Sequence, residues 1–268
     1  MTETPETKLR HQRMERYILP MREGGSLPLL GEGDDGFKYV VKMRGAGHGA
    51  KALTAELIGG EVARAAGLRV PELVTLDIDE AFGRTEPDPE IQDLLKASTG
   101  LNLGLHFLAG AITLDPWANP VDATEASRIV WLDAFLTNVD RTPRNTNMLV
   151  WHNETWLIDH GASLYFHHSM SDPSKAALTP FAFISDHALI RKASALEEAD
   201  AYMRSRLTPG RLEAIVDMIP EEWLTTEEQS GISAEGMKDI YKGFLTQRLA
   251  NSEIFLKQAT DERRKLLV

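Results

Sequence analysis

The sequence has no cysteine, so neither a disulfide bond nor a thiolate metal site can form in this chain of 268 residues. It has no apolar run of the roughly 18 residues that a membrane-spanning helix needs, and Met1 to Arg16 is too polar to contain the apolar core of a signal peptide. Its net charge of -11 opposes binding to nucleic acid or anionic lipid, because both are polyanions. We therefore expect a cytoplasmic protein that binds neither nucleic acid nor membrane.

The composition that remains is typical of a folded globular protein. Hydrophobic residues make up 43% of the chain and charged residues 26%, and the length allows either one large domain or two lobes. The sequence shows no internal repeat and no low-complexity tract. Composition therefore permits a two-lobed protein but does not specify one.

Short strands between glycine-containing turns characterise the first part of the chain. A polar leader precedes residues 17–20, and turn clusters lie at 23–26 and 31–36. In residues 37–43, FKYVVKM, the side chains alternate between an aromatic and aliphatic face and a face that carries two lysines. Together these features predict a small antiparallel sheet.

A helix and further strands follow this sheet segment. Residues 51–66 favour a helix, and Gly67 stands where the helix would end. Residues 73–78 alternate as a strand, whereas 81–91 are rich in proline and acidic residues and predict an exposed loop. The sheet is expected to resume near residues 105–108.

Helical patterning dominates the second half of the chain. A helix is predicted at 124–137, a hairpin turn at 152–154, and further helices from residue 174 onward. These features predict an α+β protein with a small antiparallel-sheet N-lobe and a mostly helical C-lobe. The predicted division is an N-lobe at 1–104, a hinge at 105–112 and a C-lobe at 113–268.

Three polar residues around the hairpin give the strongest functional signal. Asp140 and Asn145 stand five positions apart in one loop, and Asp159 ends the apolar strand after the hairpin. Phosphoryl transfer needs a carboxylate that deprotonates an acceptor hydroxyl, and oxygen ligands that hold magnesium beside it. Asp140 is therefore the candidate catalytic base, and Asn145 and Asp159 are the candidate magnesium ligands. An Asp or Asn before a turn often serves only as a cap, so the prediction depends on the three residues occurring together.

Lys42 is the candidate ATP-binding lysine on the strand at 37–43. It would contact the α- and β-phosphates, and Val40, two residues earlier on the same strand face, would lie against the nucleotide base. A helix carboxylate would hold the lysine in place; Glu56 is the first choice and Glu61 the alternative. A lysine on such a strand can also simply extend from a sheet edge into solvent.

Two glycine-rich segments are candidate phosphate cradles. Gly24, Gly25 and Ser26 form a turn whose backbone N–H groups would cover the phosphates. The run at 44–51, RGAGHGAK, could do the same or could connect the strand to the helix, and we favour the connector.

Histidines and tryptophans have less specific interpretations. The histidines that would suit a metallohydrolase lack a tight pair of the HExxH kind: His152, His160, His167 and His168. His168 and His187 are candidates to approach a substrate. The tryptophans are expected to serve packing: Trp117, Trp131, Trp151, Trp156 and Trp223.

The segments NVDRTPRNTNMLV, at 138–150, and LIDHGASL, at 157–164, resemble the HipA-like kinases, relatives of the protein kinase and phosphoinositide kinase folds. The resemblance extends over nearly the whole chain, since EGGS is similar to that family's phosphate turn and FKYVVKM to its lysine strand. It implies a protein-kinase-like fold in which Lys42 contacts ATP. It also implies Asp140 as base and Asn145 and Asp159 as magnesium ligands. Leu108, in the predicted hinge, is a further candidate nucleotide contact.

The chain departs from this family in two respects. Many relatives have histidine after the Asp-Arg pair where this chain has Thr142, so the role of that histidine does not transfer. We also expect no extra N-terminal subdomain of the kind found in the longer HipA toxins, and a toxin–antitoxin function is not implied. Some relatives phosphorylate a serine of their own phosphate turn, which makes Ser26 a candidate for the same modification.

We expect an ATP-dependent phosphotransferase that moves the γ-phosphate of Mg-ATP to a hydroxyl acceptor. A protein Ser or Thr is the first choice of acceptor and a small molecule the alternative. A catalytically silent nucleotide-binding module is disfavoured because it would not need both Asp140 and Asp159, and a metallohydrolase ranks third. The sequence identifies neither the acceptor nor the oligomeric state.

Overall fold

The N-terminal half of the chain is built around a small closed β-barrel. The computed structural model describes residues 8–21, 27–47, 49–84, 86–169, 171–225 and 231–267. The barrel strands are β1 (Arg10–Pro20), β2 (Leu29–Gly33), β3 (Lys38–Lys42), β4 (Leu73–Ile78) and β5 (Gly100–His106). Around the barrel they follow the order β1-β2-β3-β5-β4. Neighbouring strands are antiparallel except β1 and β4, whose parallel pairing closes the sheet on itself.

The alternation of β3 gives the strand one face inside the barrel and one face outside it. Tyr39 and Val41 are fully buried and pack with Met43 inside the barrel. Phe37 precedes the strand and is half exposed, although the sequence placed it on the same face. The opposite face turns Val40 and Lys42 toward a cavity outside the barrel.

β1 begins at Arg10, within the segment that the sequence indicated as a polar leader before residue 17. Most of its side chains are exposed or half-buried on the outside of the barrel, whereas Gln12 and Met14 are buried. The polar composition resembled a leader because only one face of this strand needs apolar residues.

The prediction of an exposed loop at 81–91 is wrong. The segment contains most of a 3₁₀ helix, Glu80–Arg84, and the start of the helix α2, Pro89–Ala97. The side chain of Asp88 accepts a hydrogen bond of 3.0 Å from the backbone N–H of Glu90. A capping Asp followed by Pro in the first turn is a helix-start pattern, and it outweighs the polar composition.

The second half of the chain is mostly helical and includes a three-stranded sheet. The sheet consists of β6 (Ile112–Thr113), β7 (Met148–Trp151) and β8 (Glu154–Leu157), in that order. The turn between β7 and β8 has positive φ values at His152 and Asn153, the conformation of a tight two-residue hairpin. The helices are α3 (Ala123–Leu136), α4 (Tyr165–Ser169), α5 (Pro173–Ala177), α6 (Leu196–Arg206), α7 (Pro209–Asp217), α8 (Glu221–Leu224), α9 (Ala234–Ala250) and α10 (Ser252–Lys265), with a 3₁₀ helix at Ala182–Asp186.

The helix α1 (Ala50–Ala65) connects the barrel to this helical half. It is buried along most of its length, and it confirms the helix predicted at 51–66. Gly59 allows a close approach to the segment after β8, because a Cβ at this position would lie only 2.5 Å from His160 Cβ. The same helix carries Glu56 one turn earlier, so this packing brings a buried carboxylate to the segment after β8.

The main hydrophobic core contains residues from both sides of the predicted hinge at 105–112. Leu53 and Leu57 of α1 belong to the same buried cluster as Trp131 and Phe135 of α3, while a smaller cluster fills the barrel. The division of the chain into lobes at 105–112 stays a prediction. None of the helices in the described part of the chain combines the length and apolarity needed to cross a membrane.

Candidate active site

Lys42, at the end of β3, faces two carboxylates from distant parts of the chain. Its Nζ lies 2.7 Å from Asp159 Oδ1 and 4.0 Å from Glu56 Oε2. Burial alone would lower the pKa of Lys42, but the charges of Glu56, Asp159 and Asp140 outweigh burial and raise it. Lys42 therefore remains a cation inside a partly enclosed site.

Glu56 is the carboxylate that α1 presents to this lysine. It is almost fully buried, and His160 Nδ1 lies 3.8 Å from its Oε1. Burial raises the pKa of Glu56, but the Lys42 charge and His160 outweigh burial and lower the pKa to about 2. Glu61, the alternative partner, instead pairs with Arg64 at 3.2 Å. The geometry thus places Glu56, and not Glu61, beside Lys42.

Loop 138–147, between α3 and β7, holds Asp140 through three asparagines. Asn145 Nδ2 donates to Asp140 Oδ2 at 2.8 Å, and Asn147 Nδ2 donates to the same oxygen at 3.2 Å. The backbone N–H of Asp140 donates to Asn138 Oδ1 at 3.1 Å. Only Asn145 was selected from the sequence. The other two are short polar residues of the kind that caps turns, and no local spacing distinguishes them.

A fully buried ion pair holds this loop from the interior of the protein. Arg141 Nε donates to Asp133 Oδ2 at 2.6 Å, and the guanidinium also donates to the backbone oxygen of Asn147. Asn138 Nδ2 donates to the other carboxylate oxygen of Asp133 at 3.0 Å. Burial raises the pKa of Asp133, but the Arg141 charge and the hydrogen bond from His187 outweigh burial and hold it far below its ordinary value. This pair is not evident from the sequence, because an Arg in a polar loop is usually solvated.

His187 belongs to the same buried network and does not approach a substrate as the sequence suggested. The backbone N–H of Leu189 donates to His187 Nδ1 at 3.0 Å, so Nε2 carries the ring proton and donates to Asp133 Oδ2 at 2.8 Å. His168, by contrast, lines a cavity together with Lys42 and Asp140.

Asp159 follows β8 in a conformation that turns its carboxylate toward Lys42. Its φ is 57°, in the left-handed region that non-glycine residues seldom adopt, and strained residues of this kind concentrate at functional sites. The backbone N–H of Ile158 donates to the carbonyl of Asn147 at 3.0 Å, which ties this segment to loop 138–147. The position of Asp159 is therefore coupled to that of Asp140.

Asp159 and Asn145 together fit a hard divalent cation. A carboxylate and an amide supply oxygen ligands, which Mg²⁺ and Mn²⁺ prefer, and such ions complete their coordination with phosphate oxygens and water. Since Asn145 donates its amide nitrogen to Asp140, its amide oxygen is available as a ligand. Across the described residues, no group of three His, Cys, Asp or Glu side chains is arranged to hold a metal.

Two cavities meet at Lys42, Asp140 and Asp159, which line both of them. The first has a volume of about 540 Å³ and extends toward Glu56. The second has a volume of about 730 Å³, and its walls include the nucleotide-contact candidates Val40 and Leu108 and the ligand candidate Asn145. The two adjoining cavities together form the cleft of the protein.

Trp117 lies at the second cavity and does not serve packing as predicted. Its side chain is 77% exposed, whereas Trp131 and Trp223 are buried in the main core. Asp115 Oδ1 accepts a hydrogen bond of 2.7 Å from the backbone N–H of Trp117, and this fixes the turn that carries the indole. An exposed indole held at a cavity wall is suited to contact a ligand.

Of the two glycine-rich segments, the structure describes the run at 44–51 apart from residue 48. The predicted phosphate turn at Gly24, Gly25 and Ser26 lies outside the described residues. In the run at 44–51, Gly49 precedes α1, and Ala46 and Gly47 line the first cavity. That run therefore connects β3 to α1 along one wall of the cleft.

The fold matches solved structures of kinases. The Helicobacter pylori proinflammatory kinase CtkA is 12% identical, with a TM-score of 0.54 over 94% of this chain and 97% of that one. A Golgi casein kinase with Mn/ADP bound is 11% identical, with a TM-score of 0.50 over 96% of this chain and 74% of that one. Hydra Fam20 with sugar is 13% identical, with a TM-score of 0.51 over 97% and 88%. These similarities confirm the predicted α+β kinase-like fold.

The comparison with protein families identifies the chain as a kinase. The model of the HipA-like kinase family matches residues 15–257, and the chain therefore belongs to the HipA-like kinase family. The resemblance noted in its motifs is thereby confirmed. Among curated proteins, no sequence matches this chain.

Proposed function

We propose that the protein transfers the γ-phosphate of ATP, bound with Mg²⁺, to the hydroxyl of a Ser or Thr in a protein acceptor. The observation that carries the proposal is the convergence of three side chains on the wall shared by the two cavities. Lys42 comes from β3, Asp140 from loop 138–147 and Asp159 from the segment after β8. A phosphoryl-transfer site needs these three functions, namely a phosphate-binding cation, a base and a metal-binding carboxylate.

The second cavity is the proposed nucleotide site. Val40 and Leu108 would enclose the base, and Lys42 would bind the α- and β-phosphates. The turn with Gly24, Gly25 and Ser26 is proposed from the sequence alone to cover the phosphates. Magnesium held by Asn145 and Asp159 would neutralise phosphate charge. Glu56 keeps Lys42 charged and directed into the cleft, since it faces the ammonium from the buried side.

Asp140 is the proposed base for the acceptor hydroxyl. Hydrogen bonds from Asn145 and Asn147 converge on one of its carboxylate oxygens, Oδ2, and so fix the orientation of the group. A carboxylate held in this way can accept the hydroxyl proton through its second oxygen. The buried Arg141 keeps the loop in place, because it joins Asp133 to the backbone at Asn147.

Two other functions are weaker candidates. A silent nucleotide-binding module would not require an oriented Asp140, and a small-molecule kinase would share the same site chemistry. The Golgi casein kinase is named for a protein acceptor, and this similarity of fold supports the choice of a protein here.

The test is phosphate transfer from γ-labelled ATP to dephosphorylated casein, and in parallel to free serine. We expect label on the protein with Mg²⁺ or Mn²⁺ and none with Zn²⁺. Asp140→Asn should lower turnover by about 10²- to 10⁴-fold, the span for a positioned base, while nucleotide still binds. Asp93→Asn, on the exposed face of α2 outside the cleft, is the matched control and should keep wild-type turnover.

Three results would contradict the proposal. ATP binding without transfer to any acceptor favours the silent module, and transfer to serine alone favours the small-molecule kinase. Turnover that survives Asp140→Asn would remove the assigned base.

A further inference from the structure

An apolar groove of about 450 Å³ lies next to the cleft. It is bounded by α4, α5 and the 3₁₀ helix at Ala182–Asp186. Its apolar wall is formed by Phe166, Pro180, Phe181 and Phe183, with Tyr165 and Thr137 on the side of the cleft. The proposed transfer of phosphate from ATP assigns no role to this groove.

The groove exposes two large aromatic side chains. Tyr165 is 42% exposed and Phe183 is 54% exposed, and their ring centroids lie 5.9 Å apart. The buried ring of Phe181 supports Phe183 from 6.0 Å away. Asp172 and Lys175, which form an exposed ion pair at 3.9 Å, supply a polar rim. An exposed apolar patch with a polar rim is typical of a site that binds another molecule.

The groove adjoins the cleft at Tyr165, which lines both. The backbone N–H of Tyr165 donates to Thr137 Oγ1 at 3.0 Å, so this boundary is fixed to the end of α3. Thr137 precedes Asp140 by three residues, and their Cα atoms are therefore at most about 11 Å apart. The edge of the groove at Thr137 is therefore within reach, over about three residues, of a chain that presents a hydroxyl to Asp140.

The far wall of the groove is also held in a fixed position relative to Asp140. Arg248, fully buried in α9, donates at 2.8 Å to the carbonyl of Ala134 in α3. It also donates at 3.1 Å to the carbonyl of Ala177 and at 3.0 Å to that of Thr179, beside the groove. One side chain thus joins α5 and the turn after it to the helix that leads into loop 138–147. The groove is preformed by this arrangement.

We propose that this groove binds an apolar side chain of the protein acceptor, about two to four residues away from the Ser or Thr that is phosphorylated. The inference rests on the proposed function, because it names the sequence that the same site selects. An extended peptide advances about 3.3 Å per residue, so the separation of at most about 11 Å between the Cα atoms of Asp140 and Thr137, at the edge of the groove, corresponds to about three residues. The aromatic walls favour Leu, Met or Phe over a charged or small side chain.

The experiment uses a library of peptides with a fixed central serine. In each peptide one position is varied, at one to six residues before or after the serine. Both the initial rate of phosphorylation and the binding of fluorescent peptides in the absence of ATP are measured. We expect Leu, Met or Phe to be preferred over Ala by about tenfold at one position two to four residues from the serine. Phe183→Ala should reduce this preference to about twofold, and Phe183→Leu should restore part of it.

Leu178→Ala is the matched control, because Leu178 is 43% exposed after α5 but does not line the groove. It should keep the wild-type preference. Phosphorylation without an apolar preference at these positions would overturn the inference while leaving the kinase intact. If no acceptor is phosphorylated, the proposed function fails. Peptide binding that Phe183→Ala does not weaken would separately overturn the assignment of the groove as a peptide site. Self-association lost in Phe183→Ala would assign the groove to a second copy of the chain and contradict a peptide site.

Discussion

Replacing Asp133 by asparagine removes a negative charge from the support of loop 138–147 without changing the side-chain volume. Asp133 accepts hydrogen bonds from Arg141, Asn138 and His187, and both members of the ion pair with Arg141 are fully buried. The substitution leaves the Arg141 guanidinium in the interior without a countercharge. Breaking one side of such a pair costs about 3–5 kcal/mol of the free energy of unfolding.

The loss of unfolding free energy in Asp133→Asn should depend on pH, and the pKa of Asp133 determines the direction of this dependence. This pKa lies below its ordinary value in the folded protein, so the carboxylate stabilises the fold above the unfolded pKa, at about 4. The stabilisation is lost as pH falls from there toward the folded pKa. The asparagine of the variant does not titrate, and the difference between wild type and Asp133→Asn should therefore be largest above about pH 5 and should shrink in acid.

Urea unfolding at several pH values measures this difference, and thermal unfolding should show a fall in Tm of about 10 °C. Asp93→Asn on exposed α2 is the matched control, since a surface substitution should change stability by no more than about 0.5 kcal/mol. Turnover should fall more than nucleotide affinity, because the loop positions Asp140. A loss below about 1 kcal/mol, or a loss that is independent of pH, would refute the buried pair as the support of the loop.

Other predictions concern the proposed nucleotide site. Mg-ATP should raise Tm more than ATP with a chelator does, and Asp159→Asn should remove most of the magnesium-dependent part; equal shifts with and without metal would contradict the ligand assignment. Lys42→Met should weaken ATP binding by about tenfold or more in calorimetry, because a charge-assisted contact to phosphate is lost, and unchanged affinity would contradict its role. ATP should change tryptophan fluorescence in the wild type and in Trp156→Phe but not in Trp117→Phe; a response that persists in Trp117→Phe would place the reporter elsewhere.

Much of the local structure was predictable from the sequence, because short-range periodicity decides it. The alternation in FKYVVKM predicted the buried face of β3, and the helices predicted at 51–66 and 124–137 agree with α1 and α3 to within one residue. Asp140, Asn145 and Asp159 could be selected together because they occupy one short stretch with a recognisable pattern. Their catalytic and metal-binding roles stay predictions that the experiments above test.

The pairing of distant residues could not be predicted, because it depends on how the elements pack. Lys42 and Asp159 are 117 positions apart, and the approach of β3 to the segment after β8 brings them together. Glu56 and Glu61 lie on the same helix with the same chemistry, and only the packing of α1 directs Glu56 to the lysine and Glu61 to Arg64. The residues around Glu56 and Glu61 in the sequence do not distinguish their roles.

The sequence by itself determined the order and type of most elements and the short motifs of the HipA-like family, since these depend on residues that are close along the chain. The tertiary structure alone decided that Arg141 is buried against Asp133, that His187 faces the same carboxylate, and that Trp117 is exposed at the cleft. Burial of a polar or aromatic side chain is a property of its surroundings in three dimensions. No local pattern of residues encodes those surroundings, and so the support of loop 138–147 became visible only in the fold.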